Sequence, residues 1–267
     1  MSILHKVSRI FRSDADEEPS PALRSDEHAI GDTQPQDVFI AGYPKSGNTW
    51  MQQLISGVIY GIDTRHLPDR LSQELVPDVH MNDVYRRYRD VCTFKTHALP
   101  KARYRRVVHL VRDGRDVMAS YFAMNQNLGK EVTLREMIEE GKGVYPCEWH
   151  NHCATWTANP HDAELIRVCY EDLHDRPVET LKTLCDFLDI ERDEELLQRV
   201  IDGCSFKQMK KKEQEYGWKN EDWPEDADFI RKGKVGGYKD EIPPDLVRSF
   251  EEKAGTMLAK MGYALQK

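Results

Sequence analysis

Lys45, Ser46 and Thr49 crowd one cation and two hydroxyls around a single glycine in the run Tyr43-Pro44-Lys45-Ser46-Gly47-Asn48-Thr49-Trp50. The apolar residues Val38-Phe39-Ile40-Ala41 feed into this run, and an amphipathic segment from about Gly47 to Tyr60 leaves it. Strand, glycine-bearing turn and helix in succession make a phosphate cradle. The first helical N–H groups have no intrahelical partner and the positive end of the helix dipole points into the turn. Gly42 and Gly47 have the separation of a Walker-type loop, but Asn48 fills the position where that loop carries its lysine. The lysine lies inside the turn instead, at 45. That placement argues against ATP hydrolysis and for a nucleotide-dependent transfer.

Further residues can act on the same anion. His97 follows Phe94-Lys95-Thr96, where a side chain reaches the catalytic edge of a sheet, and a histidine there suits proton transfer. Taken alone it reads more readily as a loop histidine bonded to backbone. Arg112 and Ser120 are eight residues apart, more than two helical turns, so they share a ligand only if Arg112 sits in the loop before a helix that holds Ser120. Arg112 paired with Asp113 or Asp116 at the surface is the plainer alternative. Arg231-Lys232-Gly233 adds two cations beside a glycine.

These groups need a scaffold that gathers them. Short apolar runs at 37–42, 91–95, 106–111 and 164–169 have the character of buried parallel strands. Helical patterns follow them, with Leu54 and Val58, then Val117, Tyr121 and Met124, then Leu181, Leu184 and Leu188 on the apolar faces. The alternation predicts a single α/β domain, a central parallel β-sheet flanked by helices on both faces, with ligands at the C-terminal strand ends.

In that register, Tyr43 to Trp50 resembles the 5′-phosphosulfate loop of the sulfotransferase family. Arg112-Asp-Gly-Arg-Asp-Val-Met-Ala-Ser120 resembles the family's 3′-phosphate segment, Phe94-Lys95-Thr96-His97 the segment of its catalytic histidine, and Arg231-Lys232-Gly233-Lys-Val-Gly236-Gly-Tyr238-Lys239 its RKGxxGxWK segment. The resemblance covers residues 38 to 239 in the family's order. It implies a P-loop-like nucleotide-binding fold and transfer of a sulfuryl group from 3′-phosphoadenosine 5′-phosphosulfate (PAPS) to a hydroxyl or amine, leaving adenosine 3′,5′-bisphosphate (PAP), with no metal.

The implied roles follow residue by residue. His97 is the base, and Lys45 and Lys95 stabilise the leaving phosphate. Ser46, Gly47, Asn48 and Thr49 complete the loop around Lys45. Arg112, Ser120, Arg231, Lys232 and Gly233 hold the 3′-phosphate. Trp50 and Tyr170 lie at the adenine, as do Ser205 and Phe206 of an SFxxMK-like segment. Trp149-x-x-His152-x-x-x-Trp156 resembles a helix beside the acceptor pocket. Asn48, Cys204 and Tyr238 depart from the family's usual Thr, Thr and Trp. A P-loop small-molecule or nucleoside kinase, and a non-catalytic nucleotide-binding protein of the same fold, are the rival readings.

Composition narrows the setting. With 38 Lys plus Arg against 46 Asp plus Glu in 267 residues, the formal charge of −8 provides no global basic field for nucleic acid. The run Lys207, Lys210, Lys211, Lys212 reads as a solvated face. Six scattered cysteines read as reduced thiols of a cytoplasmic protein, and no run has the roughly 20 apolar residues of a membrane span. Cys147, His150 and His152 cannot all face one way on a helix, and no second ligand pair with finger-like spacing appears, which disfavours zinc there. Residues 1–36 read as a flexible arm, whose first turns are amphipathic enough to touch a membrane surface or a partner, and 37–267 as the domain. The stretches 66–89 and 125–145 are where the resemblance places the acceptor-lining loops, and the acceptor is expected to be a small molecule. The family's KxxxTVxxxE dimer segment is absent, so a dimer would need another surface.

Overall fold

The computed structural model describes residues 26–217, 223–224 and 228–266. Six strands lie among them: β1 (Glu27–Ala29), β2 (Val38–Gly42), β3 (Val84–Arg86), β4 (Thr93–Thr96), β5 (Arg106–Val111) and β6 (Glu164–Cys169). The helices are α1 (Asn48–Tyr60), α2 (Asp69–Leu75), α3 (Gly114–Asn127), α4 (Leu134–Glu140), α5 (Trp149–Ala158), α6 (Tyr170–Asp175), α7 (Pro177–Phe187), α8 (Glu194–Gly203), α9 (Phe206–Tyr216) and α10 (Pro244–Met261), with 3-10 turns at Thr64–His66 and Gly237–Asp240.

The four apolar runs expected as strands form one parallel sheet in the order β4-β2-β5-β6. Register explains the two covered faces. Side chains alternate along a strand, so Val38 and Ile40 share a face with their neighbours Val108 and Leu110, and with Val168. This face packs on Met51, Leu54, Ile55 and Val58 of α1, on Leu181 and Leu184 of α7, and on Leu197 and Val200 of α8. Phe39, Ala41, Phe94 and Val107 point the other way, onto Tyr104 and onto Trp156 of α5. A third cluster joins α3, α5 and α10 through Val117, Trp149, Phe250 and Leu258. Each such side chain, taken fully out of water, contributes about 1.5–3 kcal/mol.

β1 and β3 form a separate antiparallel ribbon, and β1 lies inside the stretch whose composition reads as a flexible arm. Polar anchors hold it there. Tyr85 Oη donates to Asp32 O at 2.6 Å, and the buried Asp37 carboxylate takes both Nη1 and Nη2 of Arg87, at 2.9 and 2.7 Å. The expectations for the amphipathic first turns and the tether up to residue 25 lie outside the described residues. The lysine run in α9 is not the uniform solvated face expected. Lys212 is buried where α9 meets α1 and donates to Gln53 Oε1 at 2.9 Å and to Thr64 O at 2.8 Å, because a buried ammonium requires acceptors.

Candidate active site

β2 ends at Gly42, and the chain turns through 43–47 into α1. Ser46 N–H closes the turn on Tyr43 O at 3.1 Å, and Lys45 and Gly47 adopt φ of 69° and 93°. A side chain at Gly47 would be strained, and its Cβ would lie 2.5 Å from the Tyr170 ring. Gly42 is required for a different reason: a Cβ there would lie 2.1 Å from Asn48 Oδ1. Asn48 Nδ2 donates to Tyr43 O at 2.8 Å, so the residue at the Walker-lysine position braces the turn.

A cavity of about 270 Å³ opens over this turn. Lys45 projects into it with its Nζ 4.4 Å from the Phe229 ring centroid, and burial, Arg112, Arg231 and Lys95 bring its ammonium down to about 7. On the adjacent strand Lys95 Nζ meets Asp78 Oδ2 at 2.6 Å. Burial first, and then the Lys95 charge, push the His97 imidazole down to about 3. Nδ1 of His97 lies 2.6 Å from Gly42 O. A carbonyl only accepts, so Nδ1 carries the proton and Nε2 is left as the basic nitrogen.

Arg112, at the end of β5, precedes α3 as the sharing of a ligand with Ser120 requires. It does pair with Asp116, Nη2 to Oδ2 at 3.8 Å, but the pair is buried rather than at the surface: Nη1 also donates to Lys45 O at 3.2 Å, Nη2 to Lys234 O at 3.1 Å, and the guanidinium lies 4.3 Å over the Tyr170 ring. Asp116 draws the C-terminal segment onto α3 by accepting Gly236 N–H at 2.7 Å and Tyr238 N–H at 2.8 Å. Arg231 lines the same cavity as Arg112. Glu241 pairs with Arg231 and holds Lys232 Nζ at 3.2 Å. The Nε atoms of Arg112 and Arg231 are buried without a partner among the described residues.

Trp50 stands edge-on to Tyr170 at 5.3 Å and donates its Nε1–H to Cys204 O at 2.8 Å. Lys45, Gly47, Asn48, Thr49, Trp50, Lys95, His97, Arg112, Ser120, Tyr170, Phe206, Arg231, Lys232 and Gly233 all line the one cavity. Ser46 and Ser205 do not: Ser46 is fully buried beneath the turn, and Ser205 is exposed at the start of α9. Tyr238 is also outside, packed under Arg115 at 4.5 Å. His152 is buried behind His97, edge-on to Tyr43 at 5.4 Å. Its neighbours His109 and Cys153 bring three potential ligand atoms within 4.8 Å. Burial holds the Cys153 thiol well above its ordinary value and both imidazoles below theirs, which keeps this set neutral.

Both stretches singled out for acceptor loops reach the cavity, 66–89 through Gln73, Asp78, His80 and Met81, and 125–145 through Leu128 and Lys130. Sequence reasoning did not pick out His80, Glu241 or His174, whose ring lies 4.7 Å from Trp50. Only the Asp78-x-His80 spacing carried a local signal, that of a side-chain-capped turn.

The sequence profile of the sulfotransferase domain matches residues 35–262. Flavonol 3-sulfotransferase of Flaveria bidentis is 25% identical over 266 residues, covering 87% of this chain and 85% of that protein. Cytosolic sulfotransferase 13 of Arabidopsis thaliana is 26% identical over 242 residues, covering 81% and 75%. The crystal structure of retinol dehydratase in complex with androsterone and inactive cofactor PAP has the same fold, at a TM-score of 0.64 and 21% identity over 88% of this chain and 83% of that one. The family match takes in the phosphate turn, the His97 strand end, Arg112 and the Arg231 segment together, and the chain belongs to the sulfotransferase domain family.

Proposed function

We propose that this cavity binds PAPS and transfers its sulfuryl group to a hydroxyl or amine of a small-molecule acceptor. The observation that carries the reading is the hydrogen bond from His97 Nδ1–H to Gly42 O, which ties the ring to the residue that leads into the anion turn and leaves Nε2 basic. The unpartnered Nε atoms of Arg112 and Arg231 suit a second anion, the 3′-phosphate, with Ser120, Lys232 and Gly233 around it. Trp50 and Tyr170 offer flat faces for the adenine.

In the reaction His97 Nε2 takes the acceptor's proton while the acceptor's lone pair forms the new bond to sulfur. The sulfur–oxygen bond to the 5′-phosphate breaks, and its electron pair leaves with the phosphate oxygen. A base so placed contributes ~10²- to 10⁴-fold. Lys45 faces the oxygen on which charge grows, an interaction stronger in the transition state than before it. Lys95 adds to the field from the next strand, with Asp78 as its counter-charge. Asn48 Nδ2 already donates to Tyr43 O, so it does not replace a kinase's phosphate-binding lysine.

The catalytic unit is taken as 37–267, with β1 strapped to it. We assign it to the cytoplasm on the likeness to a relative named cytosolic and on six cysteines without a disulfide. No helix among the described residues is long and apolar enough to cross a membrane.

The deciding experiment supplies PAPS labelled in its sulfate to the full chain with a panel of phenols, alcohols and amines, and measures PAP affinity in parallel. Label appearing on an acceptor, with no consumption of ATP, is expected. PAP binding without transfer to any member of the panel would reduce the chain to a nucleotide binder.

A further inference from the structure

The segment 77–79 lies along the open edge of β4. Lys95 N–H donates to Pro77 O at 2.8 Å and Val79 N–H to Lys95 O at 3.0 Å. Asp78 then heads a tight turn: Oδ1 accepts His80 N–H at 2.9 Å while Oδ2 meets Lys95 Nζ at 2.6 Å. The turn delivers the His80 ring to the end of β4. Its Nε2 lies 2.9 Å from the backbone N of His97 and 3.3 Å from Thr96 Oγ1. The rings of His80 and His97 are parallel within 10° at 5.7 Å, and Tyr145 stands edge-on to His80 at 5.7 Å.

Donor and acceptor chemistry sets the protons. A backbone N–H only donates, so His80 Nε2 is the unprotonated nitrogen. Thr96 Oγ1 already accepts Ala98 N–H at 3.1 Å, which leaves its own proton to point at that same nitrogen. His97 is therefore held twice, its backbone by His80 and its ring by Gly42. A proton on His80 Nε2 would set donor against donor and release the first hold.

We propose that His80 is a positioning residue for the transfer: presented by the Asp78 turn, it acts as an unprotonated acceptor that fixes the His97 backbone and so aims the base. This rests on the reading of His97 as the base. Burial, more than the charges around it, favours the required form of His80. Asp78 pulls toward protonation, while burial, Lys95, Lys101 and Arg103 oppose it, and the net direction is down. Misplacement of a base by as little as 1 Å costs ~10²-fold.

The test uses the full chain with His80→Leu, which keeps bulk and loses the acceptor, and His80→Gln, whose side-chain oxygen reaches about as far as Nε2 and does not titrate. With labelled PAPS and 2-naphthol as the acceptor probe, the Leu variant should lose ~10- to 100-fold in kcat, with PAP affinity within about twofold, and Gln should restore most of the loss. Long-range proton–nitrogen NMR of the wild type labelled with ¹⁵N-histidine should show Nδ1–H and an unprotonated Nε2 for both His80 and His97. Equal losses for folded, PAP-binding Leu and Gln variants would overturn the proposal, and so would an Nε2–H at His80. The spectra need neither donor nor acceptor. If the chain sulfates no naphthol, or the Leu variant does not fold, they decide the matter alone, and a failure of the reaction reading stays separate from a failure of the positioning.

Discussion

Gly42 O and His97 Nδ1 lie 2.6 Å apart, although 55 residues separate them in the chain. The peptide that begins the anion turn thus also selects which imidazole nitrogen is basic. The requirement for glycine at 42 protects both the turn and the imidazole contact, since a Cβ would drive Asn48 away from Tyr43 O.

His97→Ala should leave PAP affinity within about twofold while transfer to an active phenol falls ~10²- to 10⁴-fold. A variant that retains the wild-type rate would remove the assignment of the base. With the imidazole at about 3 in the free protein, kcat/KM should not fall as pH drops through 6.5.

Lys45 predicts a linked proton. In the free protein its ammonium is brought down to about 7, and an anion beside it restores the ordinary, higher value. Its contribution to PAP affinity is therefore complete below about pH 7 and is lost as pH rises above it. Calorimetry at pH 8 in buffers of different ionisation enthalpy should report uptake approaching one proton per PAP. No uptake at pH 8, with tight binding, would contradict a deprotonated Lys45.

Gly47→Ala combines a left-handed φ of 93° with a Cβ 2.5 Å from the Tyr170 ring. The conformation alone costs about 1–2 kcal/mol. Thermal unfolding should move down, and PAP should bind more weakly as Tyr170 is displaced from Trp50. An unchanged Tm and Kd would show that the turn has a freedom this geometry denies.

Glu241 occupies the two cations expected to hold the 3′-phosphate, pairing with Arg231 and with Lys232 at 3.2 Å. Glu241→Gln should tighten PAP by about two- to fivefold at low salt, the scale of a part-exposed ion pair, and leave an adenosine 5′-monophosphate probe unaffected. Equal gains for both nucleotides would place Glu241 away from the 3′ end.

The phosphate turn and the four parallel strands were legible in the sequence because their signals are contiguous. A strand buried on both faces is an unbroken apolar run, and a turn that needs positive φ advertises itself with glycine. The motif order likewise grouped Arg112, Ser120 and Arg231 to Gly233, which line one cavity. The ribbon of β1 and β3 left no such trace, since polar residues near an arm pair only because Tyr85 and Arg87 reach back to Asp32 and Asp37. Nor did the direction of Ser46 and Ser205, which depends on the exact turn of the backbone, or the burial of Lys212. Above all, the hold on the His97 backbone was invisible. His80 acts through a hydrogen bond across a sheet edge that exists only once Pro77 to Val79 has docked on β4, and no periodicity along the chain records which loop lies against which strand. Local chemistry was written in order along the chain, whereas the long-range pairing of hydrogen-bond partners arose from packing the elements together.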